Sequence, residues 1–142
     1  MITLGISITH DGTISVLRDG INIFSLAEER LNRIKAYIGF PFMGLRYIFE
    51  NQIVDPKEVS LVSISSSVFL HSWAFTYAFE LTEDKLYYDV QNEKKPSDFY
   101  INDVEYLRVK SDEDCKKYVN DKIVKLMEDV GVSAPIEYID HH

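Results

Sequence analysis

The sequence predicts an α/β fold with the element order β-β-β-α-β-α-β, broken once by an aromatic-rich insertion. Three observations predict it. Apolar runs of strand length at 2–8, 13–17 and 21–27 are separated by Asp-Gly turns, two later stretches carry helical periodicity, and short β-branched or apolar runs fill 59–65 and 136–139. A chain of 142 residues with 46% apolar residues can bury one core, so residues 1–142 are expected to form a single domain.

The first strand is "ITLGISI", and "HDG" at 10–12 is predicted to turn it back, because Asp-Gly supplies the positive φ angles of a tight hairpin. "TISVL" runs into a second such turn, "RDG" at 18–20, and "INIFSLA" completes an antiparallel meander. "EERLNRIK" at 28–35 then reads as helical or irregular until Gly39-Phe40-Pro41 breaks the chain. Pro41 suits the first turn of a helix, and Phe42, Leu45, Ile48 and Phe49 recur at helical spacing to about residue 52. Asp55-Pro56 stops that helix, and "VSLVSIS" follows as a strand of the buried type.

The second helix is predicted to begin near Ser111, whose hydroxyl can cap it while Asp114 takes the capping-box position. Tyr118, Val119, Ile123, Leu126, Met127 and Val130 mark its apolar face, and Gly131 ends it. The last strand, 136–139, reads as buried and delivers polar residues at its C-terminal end, where open α/β sheets usually place their chemistry. Residues 67–110 do not follow this rhythm. There Trp73, Phe75, Tyr77 and Phe79 alternate with small residues, so all four rings share one face of a predicted strand. A hairpin packed on the core is the ordinary reading of such a stripe, and an aromatic ligand cage is the alternative.

Charge narrows the partners. The net charge is -8, and residues 1–50 are balanced, so the acidity belongs to the rest of the chain. A nucleic-acid surface needs the opposite sign. No apolar run of about 18 residues and no signal-peptide pattern is present, so a soluble, cytoplasmic chain without a membrane or nucleic-acid partner is expected. The lone Cys115 cannot form an internal disulfide and reads as a structural thiol. Arg30, Arg33 and Lys35 form the one tight basic cluster. With Glu28 and Glu29 they read as a solvated helix with i,i+4 ion pairs, or as a site for a planar anion.

"YIDHH" closes the chain without the vector-like linker or six-histidine run of an affinity tag. Together with "LGISITHDGTISVLRDGINIFSLAEERLNRIKAYIGFP" it resembles the carbamoyltransferases of the nodulation and antibiotic O-carbamoylation type. In that family a Gly-Ile strand leads to His-Asp, then Asp-Gly, Glu-Glu-Arg, Arg-x-Lys and Phe-Pro, and an Asp-His-His stretch continues to a further histidine. The resemblance covers residues 1 to about 66 and 135–142. Two stretches depart from it: Gly12-Thr13-Ile14 replaces a small Ser-Ser-Ala stretch, and Ala36 replaces a frequent histidine.

The resemblance implies the N-terminal lobe of a ribonuclease H-like, actin-like ATPase fold, cut from a longer enzyme. It implies ATP and a divalent metal, iron or magnesium, as cofactors, with carbamoyl phosphate and a hydroxyl acceptor as the other partners. His141 would be the first metal ligand of an H-x-x-x-H pair, because residues i and i+4 share one helix face. His142 would contact substrate or support the metal ligands from behind. His10 and Asp11 would stand near the nucleotide phosphates as the catalytic candidates, whereas a plain turn is the alternative for Asp11. Arg30, Arg33 and Lys35 would bind the anion. Two rival readings are a non-catalytic ATPase-like assembly module and a sugar or acyl-phosphate kinase lobe, the latter drawing on Asp11-Gly12-Thr13.

Overall fold

The structure is a computed structural model, which describes residues 1–8, 11–37, 39–66 and 112–140. Strands β1 (Ile2–Ser7), β2 (Thr13–Arg18), β3 (Ile21–Ala27), β4 (Val59–Ser66) and β5 (Ile136–Asp140) form one sheet in the order β3-β2-β1-β4-β5. The meander pairs antiparallel, and β4 and β5 join it in parallel. Mixed α/β architecture follows from the sequence as expected. The predicted insertion at 67–110, with its aromatic stripe, lies outside the described residues, as do Ser111 and the proposed cap it makes.

The two Asp-Gly pairs behave differently. Asp19 and Gly20 have φ of 50° and 80° and sit between the paired residues Arg18 and Ile21, a two-residue hairpin of the predicted kind. Asp11 has φ 60°, but Gly12 does not share the positive angle, and the strands close only at Ser7 opposite Thr13. The first connection is therefore a longer loop, not a tight turn.

Strand alternation builds the core. Leu4 is flanked by Val16 and Val62, and Ile6 by Ile14 and Ile64, and all six side chains are buried. Helix α2 (Phe42–Glu50) adds Leu45 and Ile48. Phe24 of β3 and Tyr47 of α2 stack at 6.1 Å between ring centroids, which fixes α2 against that side of the sheet. Helix α3 (Asp112–Asp129) contributes Ile123 and Met127. It ends at Gly131 with φ 84°, where the Gly131 and Val132 N–H groups donate back to Glu128 and Met127.

Two elements differ from expectation. The 28–35 stretch holds only one helical turn, α1 (Glu29–Asn32), because Arg33 is left-handed with φ 64°. It is not a solvated helix able to carry a ladder of i,i+4 pairs. The last strand is an edge strand: among the described residues β5 pairs with β4 alone, and Tyr138 and Ile139 are about half exposed. Among the described residues it stands at the border of the sheet, and an apolar run alone does not distinguish that place from a central one.

The parallel strands all point the same way, and this decides where the motifs meet. At the C-terminal end of β1, Ser7 is in register with Thr13 and Ser65, Thr13 with Ala27, and Ser65 with Ile139. The loop before β2, the loop after β3, and the C-terminal ends of β4 and β5 thus share one end of the sheet.

Candidate functional site at the C-terminal end of the sheet

Two sequence motifs are hydrogen-bonded to each other at that end. Glu28 N–H donates to the Gly12 carbonyl at 2.8 Å, and Gly12 N–H donates to the Tyr37 carbonyl at 3.0 Å. The Asp11-Gly12 loop is therefore threaded between the start and the finish of the cation-bearing segment. Glycine is required there by close approach: a Cβ on Gly12 would lie 2.6 Å from the Gly39 carbonyl oxygen and 3.0 Å from the Tyr37 ring. Tyr37 is itself buried, and its hydroxyl donates to the Phe40 carbonyl.

Glu28 holds the arrangement from beneath. Its side chain is 1% exposed, and its carboxylate accepts from Met43 N–H at 2.9 Å and from Gly44 N–H at 2.8 Å. These are first-turn donors of α2, which a carboxylate satisfies well because it adds charge to the hydrogen bonds and meets the positive end of the helix dipole. Pro41, at the N-cap, has no side-chain donor or acceptor to do this. A helix opened by proline signals that its cap comes from elsewhere. That hint was present in the sequence, but nothing in the spacing pointed to Glu28.

Five N–H groups of the cation-bearing loop are bonded within the loop. Leu31 and Asn32 N–H donate to the Glu28 carbonyl, and Arg33 N–H to the Glu29 carbonyl. Ile34 N–H donates to Asn32 Oδ1, and Ala36 N–H to Glu29 Oε2 at 2.9 Å. These N–H groups and those of Met43 and Gly44 are committed, and the exposed cationic side chains remain to meet an anion. Arg30, Arg33 and Lys35 are all exposed, and among the described residues no ion pair engages them.

Asp11 is exposed, and its carbonyl accepts from the Thr13 hydroxyl. Gly12 N–H is spent on Tyr37, and the exposed Asp11 carboxylate could meet an anion only through a cation or water. His10, His141 and His142 lie outside the described residues, although β5 ends at Asp140, one residue before His141. Among the described residues no group of three or more His, Cys, Asp and Glu side chains could hold a metal. The described donor set thus does not amount to a metal site by itself.

Beside this end, Tyr138 donates its hydroxyl to Asn120 Oδ1 at 3.0 Å, tying β5 to α3. Burial of the ring pushes its phenol up to about 12, so it stays protonated as the donor. No helix among the described residues is long and apolar enough to cross a membrane. No protein-family model matches the chain, and no curated protein matches it.

Proposed function

We propose that the chain is the N-terminal lobe of an actin-like ATPase fold in an ATP-dependent O-carbamoyltransferase. In such an enzyme carbamoyl phosphate and ATP yield a carbamoyl adenylate, and the carbamoyl group passes to an acceptor hydroxyl. The observation that carries the reading is the joining of the Asp11-Gly12 loop to the Glu28–Tyr37 segment at the sheet end reached by β4 and β5. Motifs far apart in sequence, singled out by one resemblance, meet in one place.

In this reading Arg30, Arg33 and Lys35 hold the carbamoyl or phosphate anion by their side chains, as bidentate guanidinium recognition suits. His10 and Asp11 face the nucleotide, His142 contacts substrate, and His141 is a ligand of a divalent metal completed by residues beyond this chain. The kinase alternative is weakened by the engagement of Gly12 N–H with Tyr37 and of the Thr13 hydroxyl with the Asp11 carbonyl, which leaves less of Asp11-Gly12-Thr13 to grip a phosphate.

A carbamoyl-transfer assay tests this. The 142-residue chain incubated with ATP, carbamoyl phosphate and hydroxyl acceptors should give no product, whereas a longer polypeptide that adds the second lobe and an adenylate-forming domain should give it. Turnover by the short chain overturns the fragment reading, and failure of the longer one overturns the carbamoyltransferase reading.

A further inference from the structure

The structure assigns Glu28 a role outside the charge cluster that surrounds it: we infer that it is a positioning residue that locks the cation-bearing loop to the Asp11-Gly12 loop and to α2. Its functional consequence rests on the anion-binding reading above, but the lock itself does not.

Glu28 uses all three of its polar groups, each on a different part of the chain. The N–H reaches Gly12, the carbonyl receives Leu31 and Asn32, and the carboxylate receives Met43 and Gly44, fifteen and sixteen residues along the chain. Its neighbour Glu29 closes the loop a second time through Ala36 N–H. A Cβ added to Gly44 would stand 3.3 Å from Glu28 Oε2 and 2.8 Å from Ile14, so the carboxylate is wedged where α2 meets β2. A charged side chain buried to this degree is unusual unless its bonds are made, and here they are made to backbone groups that cannot rearrange. Arg30 and Arg33 leave the chain two and five residues after this anchor. Their origin is fixed by a bond network in which their side chains take no part, which lowers the ordering cost of anion capture.

The lock predicts a pattern that simple loss of stability would not produce. Glu28→Gln keeps the shape but presents one acceptor and one donor to two N–H groups, so one bond must fail. Native-state hydrogen exchange on the full 142-residue chain should then show the Gly12, Leu31, Asn32, Arg33 and Gly44 amides exchanging at least tenfold faster relative to Leu4, Val16 and Val62 in the sheet. Unchanged exchange, or one uniform factor across loop and sheet, overturns the proposal. Should the variant not fold, the wild type decides. Met43 and Gly44 amides should be protected like the intrahelical Leu45 amide, and exchange at unstructured-chain rates overturns the lock.

Binding of inorganic phosphate supplies the functional arm. Wild type should bind, and Glu28→Gln at least fivefold more weakly. Equal affinity contradicts the positioning role, whereas no binding by wild type brings down the anion reading and leaves the exchange result to judge the lock.

Discussion

Gly12 donates its N–H to the Tyr37 carbonyl at 3.0 Å while its Cα faces the ring of the same tyrosine. That single contact brings a loop after the first strand against a segment 25 residues further on, and it leaves no room for a side chain. Gly12→Ala should therefore act as overpacking and destabilise the chain by about 1–3 kcal/mol. Gly20→Ala, with nothing within 4 Å of its added Cβ, should cost only the strain of a positive φ, about 1 kcal/mol. Urea unfolding of the two variants checks the order, and a larger loss at Gly20 would contradict the packing described here.

The basic side chains should matter little to folding. Arg30→Ala, Arg33→Ala and Lys35→Ala each remove an exposed charge with no ion pair among the described residues, so each should change stability by no more than about 0.5 kcal/mol. The triple variant should nevertheless lose phosphate affinity at least fivefold. Unchanged affinity in all three single variants and in the triple variant would assign the cluster to a solvated surface.

Tyr138 sets a pH dependence whose sign follows from its burial. Its phenol is raised from 10.0 to about 12 in the folded chain. A raised folded value means the protonated form is favoured by folding. The contribution is complete below the unfolded value of about 10 and is lost as pH rises through about 12. Thermal unfolding followed across this window should decline more steeply for wild type than for Tyr138→Phe, and parallel curves would show that the phenol is not perturbed.

Much of this was legible in the sequence. Period-two alternation and the Asp19-Gly20 pair identify the meander, and Gly131 marks the end of α3 because its left-handed angle suits glycine. The Asp11-Gly12 pair misleads, since the same dipeptide serves here as a packing point against Tyr37 and Gly39 and not as a two-residue turn. That β5 stands at the border of the sheet among the described residues could not be read, because an apolar run looks alike at the centre and at the border. At the site, the charge pattern of 28–35 concealed that Glu28 is buried and Arg30 exposed. Burial of a carboxylate depends on backbone donors supplied by α2, and sequence spacing carries no record of them.

The central claim is that the end of the sheet reached by β1, β4 and β5 is the site, and mapping a ligand onto the backbone tests it most directly. Carbamoyl phosphate titrated into isotopically labelled chain should shift the amides of Asp11, Gly12 and residues 29–37, and those at the C-terminal ends of β4 and β5. The amides of Asp19, Gly20, residues 52–55 and residues 57–58, at the opposite end, should stay in place. Saturable shifts confined to that opposite end, or no saturable shifts at all, would contradict the account.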